Sequence, residues 1–206
     1  MVTRLILIRH GQTDANRARR YCGGLNVWLN KKGVAQARRL CRKLKNSESI
    51  HALYVSDLRR TRQFASLVFP RLSPRIMPEL REMHFGIFEG LRYPFIKKQY
   101  PHIYNKGIAD PLKVCIPRAE RLQAVARRVR RAVRAIIAAN KGKTAVIVSH
   151  AGPLSIIMCD AAGKKLKDIW QMKHNESALS IIECDNATMR VIVFNDTSHL
   201  EKKGKS

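Results

Sequence analysis

Apolar and polar positions along this chain follow two alternating rhythms. Residues 4–8 (RLILI), 51–55 (HALYV), 144–148 (TAVIV), 178–183 (ALSIIE) and 189–194 (MRVIVF) are short, rich in β-branched side chains and bounded by turn formers, as buried strands are. Between them the apolar residues recur at helical spacing. Residues 31–45 follow Asn30 as an N-cap, residues 57–68 follow Ser56, and the segment 118–139 sets Leu122, Val125, Val129, Val133, Ile136 and Ile137 on one stripe. Strands that alternate with helices predict an α/β fold, a three-layer sandwich in which a mostly parallel sheet carries helices on both faces.

The stretch 84–117 breaks this rhythm, with Tyr93-Pro94, Tyr100-Pro101, Asp110-Pro111 and Ile116-Pro117 as interruptions. It reads as a partly helical insertion over one edge of the sheet, of the kind that covers a substrate pocket. A chain of 206 residues with 45% hydrophobic content supplies one sizeable core, so a single domain over residues 1–200 is expected, with 201–206 (EKKGKS) as a frayed tail. The opening MVTRLILIRHG holds a run of four apolar residues between Arg4 and Arg9, which fits neither a signal peptide nor a membrane span. A cytoplasmic protein with no membrane partner is the expectation. Cys22, Cys41, Cys115, Cys159 and Cys184 lie far apart with no CxxC pair, so they read as small buried hydrophobes rather than a zinc site or a disulfide framework.

Charge changes the picture more than composition does. Forty Lys and Arg against fifteen Asp and Glu leave a net +25, which draws anions of every kind: phosphorylated metabolites, nucleic acid, acidic lipid heads. Arg121, Arg127, Arg128, Arg130, Arg131 and Arg134 face outward from the 118–139 segment, so a basic module that binds nucleic acid or another polyanion is one alternative. A solvated helix face is the simpler reading, because no RNP-like aromatic pattern or zinc-finger spacing accompanies it. No acidic cluster of the sort that holds magnesium is visible, and no metal or cofactor is expected.

The sharpest signal is a repeat of chemistry. Residues 5–11 (LILIRHG) and 145–152 (AVIVSHAG) are each a buried strand that runs straight into a histidine, with glycine one or two residues later. Ligands of an open parallel sheet bind beyond the carboxyl ends of its strands, and neighbouring strands sit about 4.8 Å apart. If these two strands are neighbours, His10 and His150 face one small volume. A neutral imidazole is a competent nucleophile near pH 7, and flanking glycines allow backbone N–H groups to close on an anion. Phosphoryl transfer fits such a pocket, since arginine forks match the oxygens in pairs. Arg9 adjoins His10, and Arg60 falls in the first turn of the helix after strand 51–55, on the crevice side.

Together these residues resemble the histidine phosphatase superfamily, which includes cofactor-dependent phosphoglycerate mutases and many small phosphatases. The resemblance spans Arg4 to Leu200. It is carried by Arg9-His10-Gly11 with Thr13 and Asn16; Leu29 to Ala37 with Gly33 and Gln36; Ser56 to Thr61; Leu80 to Gly86 with Glu89-Gly90; and Ser149-His150-Ala151-Gly152. It implies that His10 takes the phosphoryl group as phosphohistidine while Arg9, Arg60 and His150 neutralise its oxygens. Asn16 would add a hydrogen bond, Gly11, Thr13, Gly23, Ala151, Gly152 and His84 would line the substrate site, and Glu82 would protonate the leaving alcohol and then activate water. A carboxylic acid doing this near neutrality calls for apolar surroundings, which Met83 and Phe85 would supply. Glu89 is a further candidate lining residue, and the segment Asn195–Leu200 would pack under the crevice.

The short stretch from Glu82 to His150 favours hydrolysis of a small phosphorylated substrate over the alternative, a cofactor-dependent phosphoglycerate mutase. The segments 21–29 and 82–86 look most similar to ribazole-phosphate phosphatases and their broad-specificity relatives, so ribazole 5'-phosphate or a range of esters is the implied substrate. Two departures bear on that substrate: Ala119-Glu120-Arg121 replaces the usual Gly-Glu-Ser, and Trp28 stands at a position that is commonly small or proline. A monomer or a homodimer is expected.

Overall fold

Leu5, Ile6, Leu7 and Ile8 are all buried, so the first strand must be covered on both faces. The computed structural model, which describes residues 1–45, 49–185 and 188–201, meets that demand with one six-stranded sheet: β1 (Thr3–Arg9), β2 (Ala52–Val55), β3 (Pro74–Ile76), β4 (Thr144–Ser149), β5 (Leu179–Asp185) and β6 (Thr188–Asp196). Its helices are α1 (Asp14–Arg17), α2 (Lys31–Leu44), α3 (Arg59–Val68), α4 (Tyr93–Gln99), α5 (Pro101–Ala109), α6 (Leu122–Ala139) and α7 (Ala151–Ala161). The strand order is β3-β2-β4-β1-β5-β6, parallel across the first four and antiparallel where β5 joins β1 and β6 joins β5.

Alternation along β1 divides the core. Leu5 and Leu7 pack with Val125, Val129 and Ile136 of α6 and with Ile157 of α7, whereas Ile6 and Ile8 pack with Leu40 of α2 and Phe64 of α3. Two helical layers therefore sandwich the sheet, as the buried runs require.

The register of β1 against β4 pairs Ile8 with Val148 and Arg9 with Ser149, so the next residue of each strand is a histidine. The 84–117 stretch contributes α4 and α5. Four differences from the sequence reading exceed a single residue. The three-residue edge strand β3 is too short and too exposed to show a pattern. Helix α3 begins at Arg59 after Leu58, with no side-chain cap, because the Ser56 hydroxyl bonds His150 instead. Helix α6 begins at Leu122, because Arg118 takes a left-handed turn (φ 61°) and Glu120 is drawn to His84. Strands β5 and β6 each run two residues past the C-terminal end of their apolar runs, to Asp185 and Asp196. Of the tail expected at 201–206, residues 202–206 lie outside the described residues.

The N-cap of α6 is Arg121, which offers no acceptor to the first-turn N–H groups although its backbone is extended as a cap requires. Arg121→Ser is expected to raise unfolding stability by about 1 kcal/mol, the usual worth of a serine cap. Urea denaturation of the two proteins measures it, and an unchanged midpoint counts against this account of the helix start.

Candidate active site

The paired strands bring His10 and His150 together with ring centroids 5.1 Å apart, the rings 66° from parallel. Arg60 stands between them. Its Nε–H points at His10 Nε2 and at His150 Nδ1, each 3.2 Å away. A guanidinium can only donate, so both of those ring nitrogens carry lone pairs. It follows that His10 bears its proton on Nδ1, which donates to the Gly11 carbonyl at 2.7 Å, and that His150 bears its proton on Nε2, facing the Ser56 hydroxyl at 2.9 Å. Burial and the charges of Arg60 and Arg9 hold His10 well below the usual imidazole range, and burial with the Arg60 charge does the same to His150. Both rings are neutral at pH 7.

Arg60 is itself only 1% exposed, and its remaining donors go to the backbone: Nη1 to Leu25 O at 2.7 Å, Nη2 to Gly23 O at 2.9 Å and Cys22 O at 3.2 Å. That loop is tied in turn to Glu89, whose carboxylate accepts from the N–H groups of Gly23, Gly24 and Phe85. Arg9 follows the same plan, donating from Nη1 to the His174 carbonyl at 2.7 Å.

Glu82 lies across the strand ends from these groups. Its Oε1 accepts from the Met83 N–H at 2.9 Å and its Oε2 from the Gly152 N–H at 3.2 Å. A Cβ at Gly152 would stand 2.4 Å from Glu82 Oε1, so a side chain there would push the carboxylate aside. Two backbone N–H groups therefore face the carboxylate. Of its apolar neighbours in sequence, Met83 packs against the core and Phe85 against the Tyr21 ring at 4.8 Å.

A cleft of about 610 Å³ opens beside this cluster, lined by Arg9, Asn16, Arg19, Gln36, Tyr93, Lys173, Asn175, Glu176, Thr197 and Leu200. Arg9 and Asn16 stand on its wall, whereas His10, Arg60 and His150 are buried and do not line it. Asn16 turns its Oδ1 to the N–H and hydroxyl of Thr13 in a capping box, so its amide NH2 is what it can offer to the cleft. Among the described residues, no group of three His, Cys, Asp or Glu side chains is placed to hold a metal ion, and no helix is long and apolar enough to cross a membrane.

Residues 5–197 match the family model of the histidine phosphatase superfamily (branch 1). The chain belongs to that superfamily. Adenosylcobalamin/alpha-ribazole phosphatase of Salmonella typhimurium is 31% identical over 92% of this chain and 95% of its own. Phosphoserine phosphatase 1 of Hydrogenobacter thermophilus is 27% identical over 97% and 95%. Among solved structures, Bacillus stearothermophilus YhfR superposes with a TM-score of 0.90 at 33% identity, covering 97% of this chain and all of that one.

Several residues serve this histidine phosphatase differently from the sequence reading. Gly11 also meets a packing constraint with α2, since a Cβ there would stand 2.7 Å from the Gly33 carbonyl. Gly23 spends its N–H on Glu89 and its carbonyl on Arg60, so it supports the site from behind. His84 is exposed, accepts from the Gly86 N–H and does not line the cleft; Ala151 follows His150, the N-cap of α7. Thr197 and Leu200, expected beneath the crevice, form part of its wall. Trp28 is exposed, with the Arg59 guanidinium 5.3 Å from its ring centroid. Of the cysteines only Cys159 and Cys184 are buried, and Cys115 is exposed.

His174, Lys173, Glu176 and Arg19 were not legible as site residues, because isolated polar residues in loops carry no period. His174 is fully buried, with Nε2 on the Ser180 hydroxyl at 2.8 Å; burial and the Arg9 charge push it down to about 4, the Met172 carbonyl opposing.

His10, His150 and His174 are thus kept neutral by the fold, while in the unfolded chain each takes up a proton below about pH 6.5. The unfolded state then binds more protons, so stability is flat above that pH and falls below it. Each ring contributes up to about 1.4 kcal/mol per pH unit of decline, His174 ceasing to add near pH 4. Urea midpoints between pH 7.5 and 5 are expected to drop steeply, with a shallower slope for His174→Gln; parallel profiles would contradict the assignment of His174.

Proposed function

We propose that this protein is a phosphomonoesterase that hydrolyses a small phosphorylated metabolite through a phosphohistidine on His10. The observation that carries the reading is the single Arg60 N–H shared between two neutral imidazoles, which holds His10 Nε2 unprotonated, its lone pair turned toward a guanidinium. In the first step Nε2 attacks phosphorus and the bond to the leaving oxygen breaks, with Glu82 handing its proton to that oxygen. Arg9, Arg60 and His150 stabilise the negative charge on the remaining oxygens, assisted by the Asn16 amide. In the second step Glu82 takes a proton from water, the hydroxide oxygen bonds to phosphorus, and His10 leaves as neutral imidazole with orthophosphate released.

The cationic cleft wall of Arg9, Arg19 and Lys173, set against Glu176, supports a small anionic metabolite as substrate. The similarity to alpha-ribazole and phosphoserine phosphatases makes their substrates the first to test. The wide spread of positive charge does not by itself favour nucleic acid, since Arg128 and Arg130 are spent on Glu120 and Asp160, and Arg121 on the Val114 carbonyl. The reading is of one catalytic unit over residues 1–200 working in the cytoplasm.

Purified protein is expected to release phosphate from p-nitrophenyl phosphate, and His10→Ala to lower kcat by at least about 10³-fold. Quenching the wild type in alkali should trap a phosphoenzyme that acid then hydrolyses. A panel of ribazole 5'-phosphate, O-phosphoserine, phosphoglycerates and nucleoside monophosphates ranks the alcohols. Equal rates for wild type and His10→Ala would sink the reading, and exchange of 2- and 3-phosphoglycerate outpacing hydrolysis would replace it with a mutase.

A further inference from the structure

The segment that carries Glu82 has no regular structure to hold it. Between the short 3₁₀ turns Pro78–Leu80 and Gly86–Phe88 its backbone pairs with no strand. The carbonyls from Glu79 to Glu82 are nonetheless satisfied, all four by side chains. Leu80 O accepts from the Ser149 hydroxyl at 2.7 Å. Glu79 O, Arg81 O and Glu82 O all accept from one guanidinium, that of Arg128 on α6, at 2.7, 2.8 and 3.1 Å.

The rest of that guanidinium is a fork on Glu120, Nε to Oε1 at 3.0 Å and Nη2 to Oε2 at 2.9 Å. Glu120 also accepts from the His84 N–H at 3.0 Å and donates its own N–H to His84 O at 3.0 Å, clasping the segment two residues past Glu82. Arg128 thus uses every one of its N–H groups, with a side chain only 17% exposed.

We infer that Arg128, braced by Glu120, is a positioning residue that fixes where the Glu82 carboxylate meets the leaving oxygen; this rests on the phosphomonoesterase reading above. The guanidinium is planar and rigid, so three carbonyls anchored to it cannot shift independently, and a lysine cannot reproduce the fork. A misplacement of about 1 Å in a proton donor costs about 10²-fold in rate. Such a loss has a distinctive form. A leaving group that departs as a stable anion needs no proton, whereas an alkoxide does, so a displaced acid harms alkyl esters selectively.

The test compares wild type, Arg128→Met, Arg128→Lys and Glu120→Gln on p-nitrophenyl phosphate and on an alkyl phosphate that the wild type hydrolyses, with Glu82→Gln as the reference and melting temperatures beside the rates. All three variants are expected to lose about 10²-fold in kcat on the alkyl ester and under about 10-fold on p-nitrophenyl phosphate, copying the pattern of Glu82→Gln. An equal loss on both esters in the folded variants, or full recovery by Arg128→Lys, overturns the inference. If Arg128→Met does not fold, Arg128→Lys and Glu120→Gln decide the matter on the same criterion. Wild-type hydrolysis that survives His10→Ala overturns the underlying reading instead, so the two failures are distinguishable.

Discussion

One hydrogen atom, the Nε–H of Arg60, sets the terms for the rest of the site. Because a guanidinium cannot accept, the two ring nitrogens that face it are lone pairs, and the opposite nitrogens must find acceptors of their own. They find them in the Gly11 carbonyl and the Ser56 hydroxyl, both at strand ends. The parallel register of β1 on β4 is what makes this geometry available, since a slip of one residue would put one histidine on the other face of the sheet. Burying Arg60 is costly, and hydrogen bonds to a charged group return about 1.5–3 kcal/mol each, so the loop at 22–25 has to present its carbonyls in a fixed array.

The choice of carbonyls over carboxylates as partners has an electrostatic consequence. A carboxylate fork would cancel the positive field, as happens where Arg128 meets Glu120 and Arg130 meets Asp160. Arg60 and Arg9 are held by neutral dipoles, which fix the guanidinium planes and leave the net charge to act on whatever enters the hollow. The net charge of +25 says little about this, because the arginines that matter are distinguished by their partners and not by their number.

The parts of the fold and site that the sequence discloses are those with a period or a repeat. Continuous aliphatic runs disclosed the central strands, helical stripes disclosed α2 and α6, and two strand–histidine–glycine stretches disclosed which strands adjoin. The site roles of His174 and Arg128 escaped because each works through backbone groups of irregular segments, and such contacts leave no spacing to read. Ser56 shows the same limit from the other side. A serine ahead of a helix reads as a cap, but the buried imidazole of His150 competes for its hydroxyl and wins, since a ring proton left unpaired in the core would cost about 1–3 kcal/mol.

The two departures from the related phosphatases can be weighed on the same footing. In Ala119-Glu120-Arg121 the retained acid is the one that clasps Arg128 and His84, while the missing hydroxyl leaves only the first turn of α6 uncapped. That change is local to a helix end. Trp28 lies exposed under Arg59 and away from the cleft wall. The wall itself is assembled from segments scattered along the chain: Asn16 and Arg19, Tyr93, Lys173 to Glu176, and Thr197 with Leu200. The groups proposed to meet the phosphate depend on sheet register and carbonyl arrays that tolerate little variation, whereas most of the wall, Arg9 and Gln36 apart, comes from loops and helix starts. Chains that share the first can therefore part ways in the second, which makes those loops, Arg19 included, the place to seek the alcohol under the proposed function.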